Sequence, residues 1–333
     1  MNFNRELFVL NNSIAELTTS IEDYFSNRSF DQSPDNLYEP INYIMSSGGK
    51  RIRSVMTLLG FHGYSDDYSK ALPLAYATEL FHNFTLVHDD IMDEAPLRRG
   101  KPTVHSKYDE NSAILSGDVM HAHVFKILSD LISPSALDIV RRFSETAILV
   151  CEGQSYDMAF EDKEEVGMEE YLDMIEKKTA VLIGFALESG ALLADAKPPH
   201  ANHLYMFGKN AGIAFQLQDD YLDLYGESFK VGKQKCGDII QKKKNYFFVK
   251  AMELLDDEER INFKELYNSQ MHSQERVQRV LNIYDDLYLK NYIAESKAAY
   301  MDLAFSHLSF SGYDSNKVDI IKKMAASLAD REL

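Results

Sequence analysis

The amino-acid sequence predicts an all-α protein with a bundle-like core, and three observations support this fold class. Apolar residues recur three and four positions apart through long segments, which is the period of an amphipathic helix. Alternating strand patterns bounded by hairpin turns are hard to find, and the chain has only 8 prolines. No low-complexity linker divides the 333 residues, so we predict a single domain over residues 1–333.

Three segments carry the helical pattern most clearly. The first covers residues 71–95 and stops before a proline, and the second covers residues 168–196 and stops at the sequence KPPH. The third covers residues 203–226 and ends on a glycine. Residues 226–245 are rich in glycine and lysine, and we expect a mobile loop there.

The composition excludes several classes of function. The net charge of -17 argues against nonspecific nucleic-acid binding and against a basic membrane-surface patch. Any anionic substrate must therefore meet metal ions or locally clustered cations. The two cysteines, Cys151 and Cys236, form neither a metal-site spacing nor a disulfide framework, so we expect a reducing cytoplasm. We find no signal peptide at the N-terminus and no apolar run long enough for a transmembrane helix.

Two short aspartate motifs, DDIMD and DDYLD, are the main functional signal. They supply Asp89, Asp90 and Asp93 on one predicted helix and Asp219, Asp220 and Asp223 on another. At about 100° per residue, the three carboxylates of each motif crowd one side of the helix. Like charges this close repel unless cations bridge them, and oxygen-only ligands suit Mg²⁺ or Mn²⁺. The motifs therefore predict metal sites, although two solvated acidic helix ends remain the alternative interpretation.

Several basic residues could bind phosphate groups near such metals. The sequence GGKRIR places Lys50, Arg51 and Arg53 at the start of a predicted helix. Further candidates are Arg98 and Arg99 after the first motif, Lys178 within an apolar run, and Lys233 and Lys243 in the glycine- and lysine-rich loop. Each alone is typical of a surface residue. Because we identify no Ser-His-Asp or Cys-His pairing, the set favours metal-assisted departure of diphosphate.

Taken together, these motifs resemble the trans-isoprenyl diphosphate synthases of the polyprenyl synthetase family. The resemblance runs from GGKRIR through HDDIMDEAPLRRGKPTVH, GQSYD, KKTAVL and FQLQDDYLDLYG to GKQKCGDIIQKKKN, in the order typical of the family. It implies helices around a deep central cavity, usually in a homodimer, and head-to-tail transfer of the prenyl group of an allylic diphosphate to isopentenyl diphosphate. It further implies three Mg²⁺ ions held by both aspartate motifs, with the released diphosphate as the base.

The resemblance also implies a role for each matching residue. Asp89, Asp93 and Asp219 match the principal metal ligands, with Asp90, Asp220 and Asp223 in support. Arg98, Lys178, Lys233 and Lys243 match contacts to the allylic diphosphate, and Lys50, Arg53, His82 and Arg99 match the isopentenyl diphosphate site. Thr179 and Gln216 match residues whose oxygen dipoles face the allylic cation. His82 falls about 20° from Asp89 on a helical wheel, which supports its place beside the metal motif.

Three residues depart from the family pattern. Cys236 and Lys242 stand where the family often has glycine, and Asn245 stands where it often has threonine. All three lie in the glycine- and lysine-rich loop. The departures therefore affect the conformation expected for that loop and the role expected for Lys243.

The residue five positions before the first aspartate often limits product length in this family. Here it is Phe84, followed by Thr85, and a bulky aromatic at this position should stop elongation early. On a helical wheel Phe84 lies about 140° from Asp89, whereas Phe81 lies nearer and could share the role. We expect geranylgeranyl diphosphate as the product, with farnesyl diphosphate or a longer chain as alternatives, and Phe84 as a plain core residue as the competing interpretation.

Two other kinds of protein remain to be separated from this prediction. A class I terpene cyclase shares the fold but normally lacks an all-aspartate second motif and needs no isopentenyl diphosphate site. A catalytically silent subunit of a two-chain synthase usually loses one aspartate motif, and this chain retains both.

Overall fold

The computed structural model describes residues 2–226 and 236–329, and nearly all regular structure within them is helical. The predicted all-α class is confirmed. None of the helices in these two ranges is both long and apolar enough to cross a membrane.

The helices follow one another through short connections. The first part of the chain contains α1 (Asn2–Ser26), α2 (Asp35–Met45), α3 (Ile52–His62), a 3₁₀ turn (Tyr68–Ala71), α4 (Leu72–Met92), α5 (Val104–Lys107), α6 (Glu110–Ser129) and α7 (Ala136–Asp162). The middle contains α8 (Met168–Ile175), a π-helical turn (Glu176–Ala180), α9 (Val181–Leu193) and α10 (Pro198–Tyr225). The last part contains α11 (Gly237–Ile240), α12 (Tyr246–Leu254), α13 (Asp257–Asn268), α14 (Ser273–Asp286), α15 (Leu289–Phe310) and α16 (Val318–Ala329).

The three helical segments predicted from the sequence correspond to α4, to the run from α8 through α9, and to α10. The structure adds a hairpin that the sequence did not predict, in which β1 (Leu97–Arg98) pairs antiparallel with β2 (Lys101–Pro102). In the predicted mobile loop, residues 227–235 lie outside the described residues. The remainder of that loop contains the short helix α11.

Local signals explain several helix boundaries. Pro73 lies in the first turn of α4, where its missing amide hydrogen costs no intrahelical bond. The side chain of Asp109 accepts a hydrogen bond of 2.8 Å from the amide of Ser112 and so caps α6. Asn245 caps α12 in the same way, through a 3.2 Å bond from the amide of Phe248.

The described residues fall into two compact units. The first comprises the described residues within 1–146, 182–208 and 307–324, and the second comprises the described residues within 147–181, 209–306 and 325–333. DDIMD belongs to the first unit and DDYLD to the second, so each motif has its own structural surroundings.

In the first unit, α3 and α9 approach so closely that only glycine fits at the crossing. A Cβ added to Gly190 would lie 2.1 Å from the carbonyl oxygen of Thr57. A Cβ added to Gly60 would lie 2.2 Å from the carbonyl oxygen of Leu187. The buried backbones are therefore in direct contact, and this contact holds the middle and the end of α3 against α9.

The core of the second unit is rich in aromatic side chains. Tyr171, Tyr246, Phe247, Phe248, Phe263, Tyr267 and Tyr284 are all buried in one hydrophobic cluster. This cluster includes residues of α10, which carries the second aspartate motif, and of α12.

We predict that Gly190→Ala lowers the free energy of unfolding by about 1–3 kcal/mol, because the added methyl group overpacks the crossing of α3 and α9. Urea unfolding measures this change. Gly167→Ala is the control, because the nearest atom to its added Cβ is 3.8 Å away. Equal stability of the two variants would contradict the close approach.

Candidate active site

The first aspartate motif occupies the last turn of α4, and its three carboxylates have different surroundings. Asp89 is partly exposed, Asp93 is exposed, and Asp90 is only 1% exposed. The amide of Asp93 donates to the carbonyl oxygen of Asp89 at 2.8 Å, so these two residues lie one helical turn apart. Asp89 and Asp93 thus offer oxygen ligands near the surface, whereas Asp90 is oriented inward.

Arg98 holds the buried carboxylate of Asp90. Its Nε lies 2.8 Å and 2.9 Å from the two carboxylate oxygens, and its Nη2 lies 2.7 Å from one of them. Burial raises the pKa of Asp90 above the usual value for aspartate, although the bonds from Arg98 oppose this shift. The pair ties the end of α4 to the hairpin that follows.

The hairpin turn presents the second arginine. Arg99 and Gly100 both have positive φ, at 53° and 74°, as a two-residue type I′ turn requires. Positive φ is unfavourable for arginine, and such strain is common at functional positions. The turn directs the side chain of Arg98 toward Asp90 and that of Arg99 toward Gly48. The Nη1 of Arg99 donates a hydrogen bond to the carbonyl oxygen of Gly48.

The GGKRIR sequence forms a loop followed by helix α3, which begins at Ile52. Both glycines have positive φ, 74° at Gly48 and 143° at Gly49, and Lys50 is exposed. Arg53 in the first turn of α3 lies with its Nη1 3.0 Å from the Nε2 of His82 on α4. The loop and α4 therefore bring together residues that are remote in the sequence.

His82 is surrounded by positive charge. Burial and the nearby guanidinium groups of Arg53, Arg99, Arg98 and Arg51 lower the pKa of His82 well below its usual value of 6.5. The imidazole is thus neutral at pH 7, and its Nε2 accepts from Arg53. Such a concentration of cations in a chain of charge -17 indicates a site for an anion.

The second aspartate motif lies near the end of α10, and its middle carboxylate is again buried. Asp220 accepts hydrogen bonds from the hydroxyl of Tyr171 at 2.6 Å, from the amide of Tyr246 at 3.0 Å and from the Nε2 of Gln216 at 3.1 Å. Burial and then the nearby carboxylate of Asp238 raise the pKa of Asp220 to about 7. Through these bonds Asp220 fixes the positions of Tyr171, Tyr246 and Gln216. Asp219, beside it, is partly exposed.

Asp223, the last residue of the motif, caps the next helix. Its two carboxylate oxygens accept from the amides of Gly237 and Asp238, each at 3.1 Å. It therefore joins α10 to the start of α11.

The carboxylates provide an oxygen-only ligand set that fits a hard divalent ion such as Mg²⁺. Within residues 2–226 and 236–329, no three carboxylate, imidazole or thiol groups already form a metal-binding cluster. Asp89 and Asp93, one turn apart and accessible, suit an ion that takes few protein ligands and completes its shell with water and phosphate oxygens.

Lys178 and Thr179 lie in the π-helical turn between α8 and α9, a conformation that occurs frequently at functional sites. The Nζ of Lys178 lies 2.5 Å from a carboxylate oxygen of Asp157. A Cβ on Gly153 would lie 2.2 Å from the amide nitrogen of Lys178, so this glycine lets α7 approach the turn. The GQSYD sequence thus positions Lys178 through both Gly153 and Asp157.

The catalytic candidates Thr179 and Gln216 contact each other. The Thr179 hydroxyl donates to the Oε1 of Gln216 at 3.2 Å, while the Nε2 of Gln216 donates to Asp220. Because Asp220 accepts from the amide nitrogen, the Gln216 side chain has one defined orientation. The structure therefore assembles Thr179, Gln216 and the second aspartate motif into one hydrogen-bonded group.

At two of the three positions that depart from the family pattern, the side chain differs from glycine but the backbone has the conformation that glycine favours. Cys236 and Lys242 have φ values of 59° and 60°, in the left-handed region that glycine favours. Asn245 caps α12 and also donates to a carboxylate oxygen of Asp238 at 2.9 Å. Lys243 lies just after the left-handed turn, whereas Lys233 lies outside the described residues.

The predicted product-length residues form part of an aromatic cluster in the first unit. Phe84 stacks on His121 of α6 with ring centroids 5.0 Å apart, and Phe81 is fully buried against Phe143 at 5.0 Å. Phe81 and Phe84 also contact each other at 5.6 Å. Thr85 donates its hydroxyl to the carbonyl oxygen of His82, so it supports the helix.

Sequence reasoning missed four residues that shape this site. They are Asp157, Tyr171, Asp238 and His121, and each contacts a predicted site residue. Asp157 lies within GQSYD and Asp238 within GKQKCGDIIQKKKN, so both motifs were a signal for them. Tyr171 and His121 are single residues in ordinary helical sequence, and no local pattern distinguished them.

The chain is similar to characterised prenyl synthases. A model of the polyprenyl synthetase family matches residues 34–284. A geranylgeranyl pyrophosphate synthase of Geoglobus acetivorans is 40% identical over 84% of this chain and 86% of that protein.

Solved structures agree with this similarity. The crystal structure of a geranylgeranyl pyrophosphate synthetase from Pyrococcus horikoshii Ot3 has a TM-score of 0.90 at 29% identity, covering 98% of this chain and all of that one. A polyprenyl synthase from Caulobacter crescentus CB15, complexed with calcium and isoprenyl diphosphate, has a TM-score of 0.83 at 25% identity, covering 99% of this chain and 98% of that one.

We predict that Lys242→Gly is more stable to unfolding than Lys242→Ala by about 1 kcal/mol, because glycine relieves the left-handed strain and alanine keeps it. Both variants lose the hydrogen bond from the Lys242 Nζ to the carbonyl oxygen of Asn268, so their difference isolates the backbone. Thermal unfolding gives the comparison. An alanine variant as stable as the glycine variant would contradict the left-handed conformation.

Proposed function

The chain belongs to the polyprenyl synthetase family, and on this premise we propose that it condenses isopentenyl diphosphate head-to-tail with an allylic diphosphate, mainly to geranylgeranyl diphosphate. Its enzyme class, trans-prenyltransferase, follows from the family. The observation that carries the proposal is the group of arginines around the neutral His82, next to the first aspartate motif.

The isopentenyl diphosphate would bind at the loop before α3. We assign its contacts to Lys50, Arg53, His82 and Arg99. A neutral His82 accepts from Arg53 through Nε2 and therefore carries its proton on Nδ1, from which it can donate a hydrogen bond. The neighbouring guanidinium groups supply the positive charge that a diphosphate needs.

The allylic diphosphate would bind to Arg98, Lys178, Lys233 and Lys243, and the aspartate motifs would bind divalent ions with it. We propose Asp89, Asp93 and Asp219 as ligands of Mg²⁺ or Mn²⁺, with Asp90, Asp220 and Asp223 in support. Bound Mg²⁺ would neutralise the negative charge that collects on a departing diphosphate. The protein similar in fold from Caulobacter crescentus, which was crystallised with calcium and isoprenyl diphosphate, supports this assignment.

The reaction would break the bond between C1 of the allylic substrate and its diphosphate oxygen. The double bond of isopentenyl diphosphate then attacks C1 of the allylic cation, and a proton is lost to the released diphosphate. Thr179 and Gln216 would stabilise the cation through their oxygen dipoles. Their mutual hydrogen bond and the anchor on Asp220 favour this role, because preorganised dipoles need no rearrangement during the reaction.

The product length would be limited by Phe84, with help from Phe81. The stacking of Phe84 on His121 supports this role, because a side chain packed between two helices resists displacement by a growing chain. The similar geranylgeranyl pyrophosphate synthase of Geoglobus acetivorans supports a twenty-carbon product, with farnesyl diphosphate as the second candidate.

We further propose a homodimer in the cytoplasm, with the chain acting as one polyprenyl synthetase domain. The side chains of Ile114, Leu115 and Phe125 on α6 are at least 37% exposed, and a second copy would cover such apolar groups. The chain has only two cysteines, far apart in the sequence, which favours a reducing compartment. The family match from residue 34 to residue 284 passes through both units, which supports a single functional domain.

We predict that the purified chain consumes radiolabelled isopentenyl diphosphate with an allylic primer in a Mg²⁺-dependent reaction. Asp89→Ala and Asp219→Ala should each lower turnover about 100-fold or more, because each removes a ligand that stabilises charge on the leaving group. The surface variant Asp138→Asn should retain full activity. A terpene cyclase would leave isopentenyl diphosphate unused, a silent subunit would be inactive alone, and a fully active Asp89→Ala enzyme would refute the metal assignment.

We also predict that Phe84→Ala lengthens the product by one or more five-carbon units, because it opens space beside His121. Chromatography of the products measures this change. Phe30→Ala is a matched control, because Phe30 is also partly buried and contacts a histidine of α6, His123, with centroids 4.9 Å apart. If the Phe84 variant and the control both give products of the parent length, Phe84 does not limit elongation.

A further inference from the structure

Of the three basic residues in GGKRIR, the middle one is directed into the protein. Arg51 is 3% exposed, whereas Lys50 before it is exposed and Arg53 after it is partly exposed. Arg51 has a left-handed backbone, with φ of 48°, at the residue just before α3. Because of this conformation, the side chain of Arg51 points away from the direction taken by Lys50 and Arg53, the two neighbouring residues that we assign to isopentenyl diphosphate binding.

The guanidinium of Arg51 has three anchors on other elements. Its Nε lies 2.9 Å from a carboxylate oxygen of Glu22 on α1, and its Nη1 lies 3.4 Å from one of Glu79 on α4. Its Nη2 donates at 2.8 Å to the carbonyl oxygen of Met45 at the end of α2. One side chain thus connects the loop to three helices, and its planar fork of donors is suited to this geometry.

The Glu79 anchor is itself fixed. Its carboxylate is buried, and the second oxygen accepts at 3.1 Å from the hydroxyl of Ser54 on α3. The Ser54 hydroxyl also lies 3.0 Å from the carbonyl oxygen of Ala75. Because a buried charge without partners is costly, Glu79 and Arg51 hold each other in one arrangement.

The loop held by Arg51 contacts the diphosphate residues directly. Arg99 donates to the carbonyl oxygen of Gly48, and a Cβ on Gly49 would lie 2.9 Å from the Nη1 of Arg99. Displacement of the loop would therefore move Arg99 and Lys50 together. Arg51, with its buried side chain, acts on the substrate only through them.

We propose that Arg51 is a positioning residue for the isopentenyl diphosphate site, which it preorganises through Glu22, Glu79 and Met45. This inference rests on the proposed function. It assigns Arg51 to the geometry of the site and leaves the phosphate contacts to the exposed neighbours.

The test replaces Arg51 with lysine, which keeps the positive charge and cannot reach all three anchors. We expect Arg51→Lys to raise KM for isopentenyl diphosphate at least tenfold, with kcat and the KM for the allylic substrate within twofold of the parent. Calorimetric titration of isopentenyl diphosphate should show the same loss of affinity. Because the charge is kept, a change in long-range attraction does not account for this result.

Two further variants keep the test decisive. Arg142→Lys is the matched control, because Arg142 also lies within reach of two glutamates, Glu145 and Glu188, and one of these is buried. It should leave KM unchanged. Glu22→Ala removes a half-exposed anchor of Arg51 and should raise KM for isopentenyl diphosphate about threefold. This variant tests the inference if Arg51→Lys does not fold.

Unchanged KM and unchanged affinity in Arg51→Lys, or in Glu22→Ala if the lysine variant does not fold, would overturn the inference. Equal rises in KM for both substrates would also overturn it, because they would indicate a general structural role. A parent enzyme that neither binds nor consumes isopentenyl diphosphate would instead refute the proposed function.

Discussion

The ion pair between Asp90 and Arg98 organises the residues around the first aspartate motif. It neutralises a carboxylate that is almost fully buried, and it brings the hairpin back against the end of α4. The same hairpin carries Arg99, which in turn contacts the glycine loop before α3. Without the pair, Asp90 would be an unpaired buried charge and the hairpin would lose its attachment.

Helix α4 is the common support of these groups. This one helix carries five of the residues discussed above, namely Glu79, His82, Phe84, Asp89 and Asp90. Glu79 anchors the loop, His82 contacts Arg53, and Phe84 contacts His121. The positions of His82, which is assigned to isopentenyl diphosphate, and of the product-length residue Phe84 are therefore coupled through a single helix.

The two aspartate motifs share the same pattern of buried and exposed carboxylates but have different bonding partners. In each motif the middle aspartate is buried and bonded to the protein, and the first is partly exposed. Asp90 is paired with a guanidinium, whereas Asp220 accepts from neutral donors, Tyr171, Gln216 and a backbone amide. Burial and then the carboxylate of Asp238 raise the pKa of Asp220 to about 7, whereas at Asp90 the bonds from Arg98 oppose the rise that burial causes.

The helical class, the long helices and the residues of the two aspartate motifs could be predicted from the sequence alone, because helical periodicity and motif spacing are local properties of the chain. The sequence also identified Cys236 and Lys242 as departures from glycine.

Contacts made in the folded chain determine which aspartate of each motif is buried and which arginine of GGKRIR is directed inward. The left-handed backbone at residues 236 and 242 likewise became visible only in the structure. Adjacent charged residues look alike in sequence. Their environments differ because partners such as Arg98, Tyr171 and Glu79 come from distant segments, and only folding brings those segments together.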